Sequence, residues 1–290
     1  MSDQKRLIIV SGLSGAGKTV ALHVLEDLGY YCIDNLPATL LESAVDDVIG
    51  SAESGDSLLA VGIDARNRPQ DLESLPHLIR AFRGRDIHTD VLFVQAEDDI
   101  LLKRYSETRR RHPLSSDGAE LRSAIESERK ILAEVINAAD LVVDTSLTSI
   151  YELADTIRER VDRRSANSLS VLIESFGFKY GIPVDADFVF DLRSLPNPYW
   201  TVDLRGFSGL DEEVGEFLDS HSNFVEMHDD ILGFLKRWIP RYRDANRGYL
   251  TVALGCTGGR HRSVYMVEKL VASLEAAGEP VDKRHTNVRN

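Results

Sequence analysis

The chain has 290 residues, 43% hydrophobic and 28% charged, the make-up of an ordinary soluble globular protein and longer than one typical domain, so two domains are expected. A net charge of −13 argues against indiscriminate nucleic-acid binding by the whole surface. No apolar run is long enough to cross a bilayer, MSDQKRLIIVSG carries no cleavable secretory pattern, and two cysteines in this length suggest a reducing compartment, so a cytoplasmic protein without a membrane partner is expected.

In chain order, brief apolar and β-branched runs at 7–11, 58–64, 91–96 and 141–144 predict strands. Amphipathic stretches at 18–28, 98–111, 121–137 and 150–161 predict the helices that alternate with them. Continuous apolar strands alternating with helices give an α/β fold with a parallel sheet covered on both faces. DRRSANS at 162–168 is polar and breaker-bearing and predicts a linker, dividing the chain into domains at 1–163 and 169–290. The pattern then restarts, with strands at 169–175, 188–192 and 250–254, helices at 211–221 and 229–241, and loops at 195–200 and 204–210.

The first strand runs into GLSGAGKT at 12–19, a complete G-x-x-x-x-G-K-[ST] phosphate loop. Gly12, Gly15 and Gly17, with Leu13, Ser14 and Ala16 between them, let the backbone curl and aim its N–H groups at phosphate oxygens. Lys18 supplies a cation for the terminal phosphates, Thr19 a hydroxyl for Mg2+, and the following helix its N-terminal dipole. Asp64, closing LLAVGID, is the candidate to hold the metal through water, and with Lys18 and Thr19 makes the candidate catalytic set. Asp34, closing YYCID, is a second candidate and suits the face of an acceptor. Arg104, Arg109, Arg110 and Arg111 suit either a lid over a transferred phosphate or a solvated helix end.

A second loop, GCTGGRHRS at 255–263, follows the strand at 250–254. Cys256, five residues and Arg262 make the spacing of a cysteine phosphatase, for which Asp203 is the candidate acid. Gly258 and Gly259 free the backbone while Thr257, Arg260, His261, Arg262 and Ser263 crowd donors into one turn, an anion cradle whether or not the thiol reacts. From Arg241 onward nine Lys and Arg face five Asp and Glu, a local balance of +4. On charge alone this suits either a solvated segment or a local polyanion site, and Arg260, Arg262, Lys269, Lys283, Arg284 and Arg289 are the candidate contacts should a polyanion such as RNA bind there.

Four segments, VSGLSGAGKTVALHVLEDLGYYCIDNLP at 10–37, GIDARN at 62–67, ESFGFKYGIPVDADFVFDLRSLPNPYW at 174–200 and GCTGGRHRSV at 255–264, resemble the RapZ/YvcJ family of bacterial nucleotide-binding proteins nearly end to end. The resemblance implies a P-loop domain like that of small kinases, followed by a domain like a phosphofructokinase subdomain. It implies ATP and GTP binding with weak hydrolysis, ATP at 12–19 and the guanine nucleotide at Asp64, Ala65, Arg66 and Asn67. It also implies a homo-oligomer and a regulatory adapter whose second domain binds a glucosamine-6-phosphate-like sugar phosphate at the second loop, and small RNA delivered to a ribonuclease. This chain departs from that pattern in two places. Glu275, Glu279 and Asp282 interrupt the basic tail, and Tyr199 precedes Trp200 where a histidine is expected.

Overall fold

In the computed structural model, which describes residues 5–50, 57–108, 111–115, 120–162, 169–245 and 247–288, the chain divides into two units, 1–166 and 167–290. The residues after 162 in the expected linker lie outside the described ones. Along the first unit run β1 (Lys5–Gly12), α1 (Lys18–Asp27), β2 (Tyr31–Ile33), α2 (Leu41–Val45), β3 (Ser57–Gly62), α3 (Pro69–Glu73), α4 (Leu75–Gly84) and β4 (His88–Gln95). There follow α5 (Asp98–Thr108), α6 (Leu121–Ile131), α7 (Ala133–Asn137), β5 (Leu141–Asp144) and α8 (Ile150–Asp162). The five strands pair in parallel in the order β2-β3-β1-β4-β5.

The central strand explains the architecture. Leu7, Ile8, Ile9 and Val10 are all buried, so both faces of β1 are covered and its sequence is continuously apolar rather than alternating. Val10 sits opposite Gly62 on one side and Leu92 on the other. After β1 the chain crosses to β2 and β3 on one side and returns to β4 on the other. The carboxyl end of β1 is thus the topological switch point where open α/β sheets bind ligands, and the loop at 12–17 stands there.

The stretch 121–137 forms two helices rather than one, because the buried Leu132 leaves helical geometry (φ −89°, ψ 5°). Asp64 lies two residues beyond the end of β3 rather than inside it. The short β2, α2 and α3 carry no strong periodic signal; α4 does, with Leu75, Ile79 and Phe82 buried at helical spacing, and it is missing from the expected elements.

The second unit contains β6 (Ser170–Gly177), β7 (Phe188–Asp191), α9 (Glu212–Asp219), α10 (Ser222–Asp244), β8 (Tyr249–Cys256), α11 (Arg262–Glu275) and β9 (Asp282–His285). Its sheet is also parallel, in the order β7-β8-β6-β9. All eight residues of β8 are buried, and Leu250, Val252 and Leu254 join Ile173, Leu235 and Leu270 in one core. Helix α10 begins seven residues before the expected 229, because Phe224, His228, Ile231, Leu235 and Ile239 make one buried stripe at helical spacing.

Strand β9 was expected to be tail. Its four residues pair with β6, Leu172 opposite Asp282 through Ser175 opposite His285.

Candidate functional site

The first loop is built backwards from what its backbone must do. Gly12 has φ 142°, and a Cβ there would lie 2.0 Å from the carbonyl oxygen of Val94, so only glycine lets β1 leave the sheet this way. Leu13 and Ala16 are buried and anchor the loop, with Leu13 N–H donating to the Val94 carbonyl at 3.0 Å. The Thr145 hydroxyl donates to the Ala16 carbonyl at 2.8 Å from outside, which turns the Gly17 N–H to the opposite side of a trans peptide. Arg104 Nη1 donates to the Gly15 carbonyl at 3.1 Å, and its Nη2 to the Thr145 carbonyl at 2.6 Å. Helix α1 has no side-chain cap, so its leading N–H groups are available to an anion.

Lys18 Nζ donates to the Gly12 carbonyl at 2.6 Å across the mouth of the loop. Burial pulls its pKa down, assisted by Arg66 and opposed by Glu128, Asp64 and Asp34, with the net effect downward. Thr19 is exposed in the first turn of α1. Burial alone would raise the pKa of Asp64, but hydrogen bonds from Arg66 and the charge of Lys18 outweigh it and hold the carboxyl below the ordinary range. Arg66 grips that carboxylate through Nε at 3.1 and 3.0 Å, Nη2 at 2.6 Å and its own N–H at 3.0 Å.

Asn67 is occupied as a brace. Its Oδ1 accepts from Ala38 N–H at 2.6 Å and its Nδ2 donates to the Asp64 carbonyl at 3.1 Å. Ala65 is buried. Of the 64–67 segment, Arg66 and Asn67 line an open hollow of about 360 Å³, together with Asn35, Thr39, Arg68 and Asp71.

Like Thr145, Glu128 is absent from the sequence reading and touches the loop, and His112, absent too, supports it from behind. Glu128 of α6 is completely buried and takes Ser14 N–H at 2.9 Å on Oε2 and the Ser14 hydroxyl at 2.6 Å on Oε1. His112 Nε2 lies 3.0 Å from Oε2. Burial pushes Glu128 up, but His112, Ser14 and then Lys18 outweigh it and hold the carboxyl below its ordinary range. Only a fold joining residues far apart in sequence reveals this; neither residue belongs to a motif. Arg109 and Arg110 lie outside the described residues.

These residues fit a nucleotide and its magnesium. The curled glycine loop and uncapped helix suit phosphates, Lys18 supplies the charge, and Thr19 and the ionised Asp64 are oxygen ligands of the kind Mg2+ takes. Among the described residues no group of three or more His, Cys, Asp or Glu is arranged to hold a metal. A magnesium ion carried by phosphate oxygens and water needs no such cage.

The second loop joins β8 to α11. Cys256 ends β8 and is buried, its Sγ 3.2 Å from the Ser263 hydroxyl. Burial would push the thiol up; the Ser263 hydroxyl and the N–H groups of Ser263, Arg260 and Gly259 outweigh it and hold the thiol below its ordinary value. Gly259 has φ 66°, and a Cβ there would lie 2.6 Å from Gly177 N, so the loop packs directly on the end of β6. Arg262 Nη1 donates to the carbonyls of Arg193 (3.0 Å) and Leu195 (2.9 Å), leaving its buried Nε without a hydrogen-bond partner. Arg260 donates to the Phe207 carbonyl at 2.9 Å and to that of Gly206. His261 is buried, and burial and then the charge of Arg260 lower its pKa, favouring the neutral ring. Thr257 is exposed at the mouth, Gly258 half-buried, and Ser263 fully buried.

The basic residues of the last segment are tied to carboxylates. Lys283 pairs with Glu268 at 2.6 Å, Arg284 with Glu174 at 2.7 Å and Asp185 at 3.2 Å, and Lys269 with Asp219. Arg289 lies outside the described residues, and Asp203 is exposed on the short turn Val202–Leu204. No helix among the described residues is long and apolar enough to cross a membrane.

Comparison with known proteins agrees with this two-part organisation. Residues 5–165 match the family profile of the RapZ-like N-terminal domain, and 169–289 that of the RapZ C-terminal domain. The chain is 50% identical over 283 residues to a protein of Pseudomonas fluorescens (strain SBW25) named nucleotide-binding protein, covering 98% of this chain and 99% of the other. A Stutzerimonas stutzeri protein, named nucleotide-binding protein in ptsN-ptsO intergenic region, is 49% identical with the same coverage. Among solved structures, shikimate kinase from Acinetobacter baumannii in complex with shikimate is similar at 18% identity and a TM-score of 0.36, over 56% of this chain and 96% of that one. Both halves match the two domains of one family in order, and full-length relatives share half their residues with it: the chain belongs to the RapZ family.

Proposed function

We propose that the protein binds ATP or GTP with Mg2+ at the loop 12–19, hydrolyses it weakly, and serves as a regulator whose second unit senses a phosphorylated sugar. The observation that carries the nucleotide reading is the loop itself: three glycines at positive φ, an uncapped helix behind them and Lys18 across the mouth. The relatives named nucleotide-binding proteins support it. In this reading Lys18 neutralises the terminal phosphates, while Thr19 and Asp64 hold magnesium, which when bound draws charge from the phosphate oxygens. Arg66 has to yield part of its grip on Asp64 for this. The test is calorimetry with ATP and GTP on the intact protein and on Lys18→Ala. Loss of the cation is expected to cost roughly 2–4 kcal/mol, as for truncating one partner of a buried charged hydrogen bond; unchanged affinity refutes the assignment.

The sugar-phosphate reading rests on the loop after β8, where buried Arg262 lies beside the buried Cys256 thiol at the start of α11. Arg262→Ala is expected to weaken binding of a sugar phosphate by about 1.5–3 kcal/mol, one charge-assisted hydrogen bond. Small-RNA binding and delivery to a ribonuclease remain part of the proposal by resemblance alone. For Lys283 and Arg284 to serve it they must leave Glu268, Glu174 and Asp185. A second reading, a small-molecule kinase, is favoured by the hollow beside Arg66 and Arg68. A phosphoryl-acceptor screen with labelled ATP separates it from the regulator, since only the kinase yields a labelled product.

A further inference from the structure

We propose that Glu128, braced by His112, is a positioning residue that holds the phosphate loop in its binding shape before nucleotide arrives. The inference rests on the reading of that loop as the nucleotide site. A carboxylate with no solvent exposure is costly unless its lone pairs are met. Glu128 meets them with donors from two places: both donors of Ser14, at 2.9 and 2.6 Å, and His112 at 3.0 Å.

The histidine's role follows from its other nitrogen. Nδ1 accepts the Leu114 N–H at 3.1 Å, so a neutral ring carries its proton on Nε2 and donates it to Glu128. Tyr105 completes the setting. Its ring lies 5.3 Å from that of His112, and a Cβ on Gly15 would meet it at 3.3 Å.

What this fixes is one peptide of the loop. Leu13 N–H is held by Val94 and Ala16 N–H by the Leu13 carbonyl, each at 3.0 Å. The Ser14 N–H, between them, has Glu128 as its partner across 114 residues of sequence. With both Ser14 donors clasped, the loop need not be ordered by its ligand, and the entropy of ordering is not charged against binding. Helix α6 is thereby coupled to the phosphate loop through a single side chain.

Glutamine separates position from charge. Its carbonyl oxygen replaces Oε2 and accepts from Ser14 N–H and His112, while its NH2 donates to the Ser14 hydroxyl, which accepts instead of donating. The experiment measures ATP affinity by calorimetry, and amide exchange across 12–19 in the ligand-free protein, for the wild type, Glu128→Gln, Glu128→Ala and Ser14→Ala. Positioning predicts near-wild-type affinity and protection for Glu128→Gln, and an affinity loss on the order of tenfold with deprotected loop amides for Glu128→Ala. Ser14→Ala, which keeps the clasped N–H, should fall between them.

A Glu128→Gln variant as weak as Glu128→Ala overturns the proposal in favour of a role for the charge. One that binds ATP more tightly than wild type overturns it in favour of a carboxylate that competes with phosphate. Full protection and affinity in Glu128→Ala leaves Glu128 no role at the loop. If Glu128→Ala does not fold, the contrast between Glu128→Gln and Ser14→Ala decides. If the wild type fails to bind ATP the nucleotide reading falls, whereas the exchange measurement still tests the clasp.

Discussion

The two cysteines show how far environment separates residues that composition counts alike. Burial, with Glu26 adding to it, pushes the Cys32 thiol up to about 11. Cys256 is more deeply buried, yet its loop donors hold it below the ordinary 9.0. Titration of thiolate ultraviolet absorbance should therefore show a step below pH 9.0 in Cys32→Ser and a step near 11 in Cys256→Ser. A second titration follows from Glu128. Its folded pKa is depressed below the ordinary 4.5, so its contribution to stability is fully present above that value and is lost as pH falls through the folded one. Urea midpoints across the acid range should fall more steeply with acid in the wild type than in Glu128→Gln. Residues inside motifs were legible because spacing alone defines a phosphate loop. Glu128 and His112 were not, because a glutamate in the polar run AIESERK at 124–130 is usually solvent-facing, and only the fold brings it under Ser14.

Among the elements, those made of uniformly apolar β-branched runs were readable, and β1, β4, β5 and β8 stand where the sequence put them, within a few residues. Those whose pattern is set by partners were not. The strand Asp282–His285 is DKRH, polar throughout, and is held as a strand by pairing with β6 and by the ion pairs of Lys283 and Arg284. Helix α10 hides its first turns behind His and Asp, and its buried stripe is visible only when His228 is counted as core. The turn from β1 into α1 carries a sharper expectation. Alanine at Gly12 would have to adopt φ 142° with its Cβ against the Val94 carbonyl. Backbone strain alone should cost about 1–3 kcal/mol, with the steric contact added to it. Gly12→Ala is therefore expected to lower the melting temperature of the first unit and remove nucleotide binding. Calorimetry of the variant with and without ATP checks both.

At the scale of the whole chain, two sheets with different strand orders each close their own core, and each presents a glycine-rich loop between a central strand and the helix that follows. Two loops in one protein make sense if each half answers to its own phosphate-bearing ligand. That reading makes the stability of the halves separable. A ligand that binds only the native state at about a hundredfold excess over its Kd adds about 2.7 kcal/mol, on the order of ten degrees in Tm for units of this size. Scanning calorimetry of the full chain should then show two transitions. ATP with magnesium should raise one of them and leave the other in place, and a sugar phosphate should do the reverse. Lys18→Ala should abolish the first shift alone, and Arg262→Ala should reduce the second alone. A single transition that either ligand raises would mean that the halves unfold as one unit. Two transitions that both respond to ATP would mean that the second loop, too, is a nucleotide site.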